Sequence, residues 1–109
     1  MSRLLSRLLE LEGFETLALS PVDDVPARAR DESPDVLLLD VYLGGQNGLE
    51  ILEALRARES TRRLPVVMMS GRNVEYECLC RGAFAFLLKP FFAADLIRAL
   101  QAAIVPQGS

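Results

Sequence analysis

Two stretches of the chain, Asp35-Val36-Leu37-Leu38-Leu39-Asp40 and Pro65-Val66-Val67-Met68-Met69-Ser70, are almost continuously apolar and then stop at a polar side chain. A strand wetted on one face alternates apolar and polar residues, so a run without alternation belongs to a strand covered on both faces. Strands of that kind need helices above and below them, and the sequence between the runs supplies candidates. Loop signals at Gly44, Gly45, Asn47 and Gly48 precede a helix from about Leu49 to Arg58, with Ile51, Leu52 and Leu55 as its buried stripe. After the second run, a short helix around Val74 to Cys80 leads through Gly82 into a third strand, Ala83 to Leu88. Lys89-Pro90 then precedes a last helix with Leu96, Ile97, Leu100 and Ile104 inward.

The N-terminal part reads less sharply. In Ser2 to Leu11, Leu4, Leu5, Leu8, Leu9 and Leu11 recur at helical spacing and Gly13 ends the helix. Glu15 to Leu19 is a short strand candidate closed by Ser20-Pro21. A further helix should start near Asp23 or Asp24 and run to about Glu32, because Pro26 is tolerated only in a first turn; Ser33-Pro34 breaks it. Strands and helices therefore alternate, which predicts an α/β fold with a mostly parallel sheet and helices on both faces. Ligands in open sheets of this kind bind beyond the C-terminal ends of the strands, and those ends carry Asp40, Ser70 and Lys89.

Length and composition restrict the function. At 109 residues with half of them hydrophobic, the chain suits one domain, 1–109, with 105–109 as a frayed tail or the start of a linker. Twelve Lys+Arg against fifteen Asp+Glu, a formal charge of -3, offer no broad basic surface, which argues against direct nucleic-acid binding. Arg3, Arg7 and Glu10 interrupt the leucine-rich N-terminus far short of a membrane span, so no membrane partner is expected. Cys78 and Cys80, in a chain without histidine, make neither a zinc set nor a C-x-x-C redox pair and read as reduced thiols of a cytoplasmic protein.

The fragments Pro34-Asp35-Val36-Leu37-Leu38-Leu39-Asp40, Gly48-Leu49-Glu50, Val67-Met68-Met69-Ser70-Gly71, Gly82-Ala83 and Phe86-Leu87-Leu88-Lys89-Pro90-Phe91 follow one another in this order. In this set the chain resembles the receiver domain of two-component response regulators over nearly its whole length. The resemblance implies a flavodoxin-like, CheY-like doubly wound parallel sheet. It implies Asp40 as the phosphoacceptor, taking a phosphoryl group from a histidine kinase, a phosphotransfer protein or a small phosphodonor, with no enzymatic activity beyond self-dephosphorylation. Lys89 and a Mg²⁺ held at Asp40 would neutralise the phosphoryl oxygens. Ser70 would hydrogen-bond one of them, Phe86 would be the switch aromatic, and Pro90 would follow a cis peptide bond that aims Lys89 into the site. A downstream protein would read the result.

Taken singly, each of these residues has a plain structural account: a surface aspartate, a solvated lysine, a small strand terminator, a core aromatic. The chain also departs from the family pattern. In the family, a first strand ending in adjacent acids precedes the opening helix and helps to hold Mg²⁺, whereas this chain begins at the helix. Four strands are therefore expected. A shifted Glu15 to Leu19, a strand donated by a partner such as a second copy of the chain, or residues upstream of Met1 would fill the gap. Asp23-Asp24 reads as helix capping rather than as a replacement metal site. Gly44 stands where the family often has proline, and about three residues fewer than usual separate Ser70 from Lys89. The alternative function is a degenerate pseudo-receiver, an interaction or dimerisation module independent of phosphate. An independent enzyme has little to stand on, since no glycine-rich phosphate loop, histidine or second carboxylate is expected near Asp40.

Overall fold

The computed structural model describes residues 9–15, 24–43 and 45–104. In chain order the elements are α1 (Val25–Glu32), β1 (Leu37–Asp40), β2 (Tyr42–Leu43), β3 (Gln46–Asn47), α2 (Gly48–Ala57), β4 (Val66–Ser70), α3 (Glu75–Cys80), β5 (Ala85–Leu88) and α4 (Ala93–Ile104). The strands β1, β4 and β5 form a parallel sheet in that order. Its register pairs Leu37 with Val66 and Asp40 with Met69, then Val67 with Ala85 and Ser70 with Leu88. This is the α/β architecture that the two unalternated runs predict.

Side-chain parity explains the layering. Leu37 and Leu39 of β1 and Val66 and Met68 of β4 point to one face, where they pack with Val25 and Ala29 of α1, Ile51, Leu52 and Leu55 of α2 and Cys78 of α3. The intervening residues point the other way. There, Val67 packs with Leu96 and Leu100 of α4 and with Leu9, and Leu38, Ala85 and Leu87 lie against this second cluster. All five residues of β4 are buried, because the strand has a neighbour on each side and helices over each face.

Of the N-terminal segment, residues 9–15 are described. Residues 9–11 close a helix: Phe14 N–H donates to the Leu9 carbonyl at 3.0 Å and Gly13 N–H to that of Glu10 at 3.0 Å. Gly13, at φ 94°, supplies the left-handed residue that such a closure requires. Leu11 was expected in the buried stripe but is 83% exposed, because the chain turns away at Gly13 and Phe14, not Leu11, folds back over the cluster. The remainder of the predicted opening helix, residues 16–19 of the strand candidate, Asp23, Gly44 and the tail 105–109 lie outside the described residues. Glu15 is not in a strand, and among the described residues β4 is the only sheet neighbour of β1.

One boundary agrees with expectation and two features differ, each for a local reason. Asp24 is the N-cap of α1, its Oδ1 accepting from Ala27 N–H at 3.1 Å with Pro26 in the first turn, which is the capping role read from the sequence. Strand β5 begins at Ala85 rather than Ala83, because Ala83 N–H still closes α3 by donating to the Cys78 carbonyl and Gly82 holds a turn at φ 98°. In α4 Ala103 is buried and Ile104 is 37% exposed, so the inward stripe ends one residue earlier than predicted.

One cross-connection ties the helices to the sheet. The Arg56 guanidinium of α2 donates from Nε and Nη2 to the Gly82 carbonyl at 3.1 and 2.8 Å, and from Nη1 to the Thr61 carbonyl at 3.3 Å. Thr61 is itself buried and donates to the Leu55 carbonyl at 2.7 Å. Next to this contact, Arg81 Nε pairs with Glu53 Oε1 at 2.7 Å. A side chain at position 82 would collide with Arg56, since a Cβ there would stand 3.0 Å from Nε. Burial pushes the Arg56 guanidinium below its ordinary pKa, yet an arginine so placed stays charged.

Candidate functional site

The last residue of β1 is Asp40, and its carboxylate is held at both ends. Oδ1 accepts the Tyr42 amide at 2.9 Å, a contact made by the turn that follows the strand. Oδ2 forms an ion pair with the Lys89 ammonium, 49 residues further along the chain. The Asp40 side chain is 18% exposed and that of Lys89 43%, so solvent reaches the pair.

Parallel register brings these residues together. Asp40 lies opposite Met69, Val41 N–H donates to the Met69 carbonyl at 2.9 Å, and Ser70 therefore ends the neighbouring strand one step beyond. Lys89 N–H donates to the Ser70 carbonyl at 2.8 Å, which starts the Lys89 side chain at the same edge. The Lys89–Pro90 peptide bond is cis. Ser70 is fully buried, and its Oγ accepts the Arg72 amide at 3.1 Å, so the hydroxyl is turned toward its own loop.

The loop after Asp40 is tighter than the glycine-rich sequence suggested. Tyr42–Leu43 and Gln46–Asn47 pair as a small antiparallel hairpin, and Gly48 N–H returns to the Val41 carbonyl at 2.6 Å. A Cβ at position 48 would lie 2.5 Å from the Asp40 carbonyl oxygen and 2.7 Å from Val41 Cα, so only glycine fits. Asn47 then caps α2 by accepting Leu49 N–H at 2.9 Å. The hairpin and Gly48 fix the backbone on which Asp40 stands.

Of the residues singled out from the sequence, Asp40 and Lys89 meet directly, and Ser70 ends the strand between them. Phe86 is half-buried against the cluster that includes Met68 and Cys78. Two contributors escaped the sequence reading. Tyr42 acts through its amide, which no side-chain pattern reveals, and Gly48 read as a loop signal when it is a close-approach residue. The thiols also differ: Cys78 is buried, which with the neighbouring Glu77 pushes its pKa up, and Cys80 is exposed.

The donor set does not suit a divalent cation. Among the described residues no three of His, Cys, Asp and Glu stand together, and of the fifteen carboxylate side chains in the sequence only that of Asp23 lies outside them. Mg²⁺ demands six oxygens in near-ideal octahedral geometry and gives up water reluctantly. A single carboxylate already engaged by an ammonium and an amide is a poor nucleus for that shell. Among the described residues no helix is long and apolar enough to cross a membrane.

Comparison with known proteins places these features in a family. The sequence profile of the response regulator receiver domain matches residues 1–101. The phosphate regulon transcriptional regulatory protein PhoB of Rhizobium meliloti (strain 1021) is 37% identical over 105 residues, covering 94% of this chain and 46% of PhoB. The chain thus spans about half the length of that relative. Among solved structures, the receiver domain of NtrX from Brucella abortus superposes with a TM-score of 0.79 at 33% identity, over 93% of this chain and 87% of the other. The receiver domain of a sensor histidine kinase from Pseudomonas aeruginosa PAO1, solved with a magnesium ion coordinated in its active-site cleft, gives 0.80 at 27% identity over 94% and 87%.

Proposed function

Because the chain belongs to the response regulator receiver domain family, we propose that Asp40 is its phosphoacceptor and that the resulting charge gates binding to a downstream protein. The observation that carries this reading is the Asp40–Lys89 ion pair at the C-terminal edge of the sheet, with Ser70 ending the strand between them. In the step itself, a carboxylate oxygen of Asp40 forms a bond to phosphorus as the bond to the donor's leaving group breaks. The leaving group, an imidazole nitrogen or a carboxylate oxygen, departs with the electron pair. Lys89 is already placed to offset charge that gathers on the phosphoryl oxygens, and the Tyr42 amide holds the other carboxylate oxygen. The Ser70 hydroxyl, whose Oγ accepts the Arg72 amide, would donate its proton to a phosphoryl oxygen, and the half-buried Phe86 would answer that movement.

The phosphodonor is a histidine kinase or phosphotransfer protein, and a cytoplasmic setting accords with such partners. With Lys89 as the one cation paired with Asp40 among the described residues, transfer should be slow. A second reading, a pseudo-receiver that binds its partners without phosphate, is favoured by the shortage of clustered carboxylates among the described residues. Intact-mass analysis after incubation with acetyl phosphate separates the two. Slow appearance of a single phosphoryl adduct on the parent chain, absent from Asp40→Asn, is expected. No adduct on the parent, with the fold intact by circular dichroism, would leave the pseudo-receiver standing.

A further inference from the structure

We propose that the Asp40 site of this chain is closed to divalent cations, with the Lys89 ammonium as its resident cation. The inference concerns cation occupancy and stands apart from whether Asp40 takes a phosphoryl group.

Three observations carry it. First, both carboxylate oxygens are already engaged, Oδ2 by Lys89 and Oδ1 by the Tyr42 amide, so a metal would have to share an oxygen with one of these partners. Second, the charges cancel. One carboxylate and one ammonium leave the site neutral, and a dication approaching it meets repulsion from Nζ that offsets its attraction to the oxygens. Third, among the described residues no cluster of His, Cys, Asp and Glu supplies further ligands. Among the described residues, the neighbouring strand ends in Met69, opposite Asp40 in the register, and Ser70, buried with its Oγ turned toward Arg72. The nearby carbonyls of Val41 and Met69 each already accept one amide, from Gly48 and Val41 respectively, which leaves each a single lone pair.

Lys89 holds this position through backbone structure and not only through charge. Its own N–H is tied to the Ser70 carbonyl, so the ammonium is delivered to Asp40 by the end of the sheet. A pair so placed gives the carboxylate the counter-charge that a bound metal otherwise brings. The cation is then part of the polypeptide, and site occupancy is independent of metal concentration.

The test is a titration of the full 109-residue chain, isotope-labelled, with MnCl₂ and separately with MgCl₂, read by amide nuclear magnetic resonance. Paramagnetic broadening by Mn²⁺ at the Val41 and Tyr42 amides reports a metal at Asp40 directly. The expected result for the parent is no broadening at millimolar Mn²⁺ beyond that of Asp40→Asn, and no Mg²⁺-dependent shift of the same amides. Saturable broadening in the parent that Asp40→Asn abolishes would overturn the proposal. In Lys89→Met the carboxylate loses its resident cation, and weak, millimolar broadening should appear at those two amides. If Lys89→Met is as silent as the parent, the role given to Lys89 is wrong, and a shortage of ligands alone keeps metal out.

Discussion

The two ends of the sheet are built differently. Strands β1 and β4 lie under α1 and α2, where Leu52, Leu55, Val66 and Met68 are wholly buried. Strand β5 has no fully buried residue, and α3 beside it spans six residues, has no side-chain cap at its N-terminus and buries only Cys78. Around it Tyr76, Leu79, Phe84, Leu88 and Phe92 are exposed. The site draws on both ends: Asp40 and Ser70 stand on the sealed strands, Lys89 and Phe86 on the open one. Asp40 is therefore fixed by packing while its counter-charge rides on the part of the sheet that packing constrains least. A receiver needs this division, because a signal requires one element that stays and another that answers.

Substitutions at the two ends should separate by magnitude. Leu52→Ala empties a fully enclosed position between α2 and the sheet and should cost about 2–5 kcal/mol in urea unfolding. A loss below about 1 kcal/mol would mean that the sealed end can collapse and that the contrast is weaker than burial suggests. Gly48→Ala comes next: a Cβ forced against the Asp40 carbonyl and Val41 should cost about 1–3 kcal/mol and shift the Tyr42 amide resonance. Unchanged stability with an unchanged resonance would show that the hairpin yields and does not hold Asp40. Phe92→Ser, at an 80% exposed position of the open end, should stay within about 0.5 kcal/mol by the same unfolding measurement. A larger loss would show that the open end is packed more firmly than its exposure implies.

Much of this was legible in the sequence, for identifiable reasons. The runs at Val36–Leu39 and Val66–Met69 have no polar alternation, so burial on both faces followed from composition alone. Helical periodicity located α2 and α4 well but could not say where each stripe stops. Leu11 and Ile104 keep the spacing yet lie past the covered surface, and only the turn at Gly13 and the reach of the sheet decide that. At the site, Asp40 and Lys89 were recognisable as strand-end residues, whereas their contact depends on parallel register across two strand pairs. The Tyr42 amide and the role of Gly48 were hidden because both act through backbone geometry, which a one-dimensional pattern does not encode.

The bond from Arg56 to the Gly82 carbonyl, reinforced by Glu53 and Arg81, has a mechanical consequence for α3. The helix is a lever pinned at its C-terminal end to α2, while its N-terminal end adjoins the Ser70 loop. Displacement that respects the pin is a rotation about it, not a translation. A six-residue helix is about 9 Å long, so a tilt of about 10° carries its free end through roughly 1.5 Å and leaves the pinned end almost still. A displacement of the Ser70 loop would thus be delivered largely to the turn that bears Tyr76, and the fulcrum lies at the opposite end of the helix from that loop.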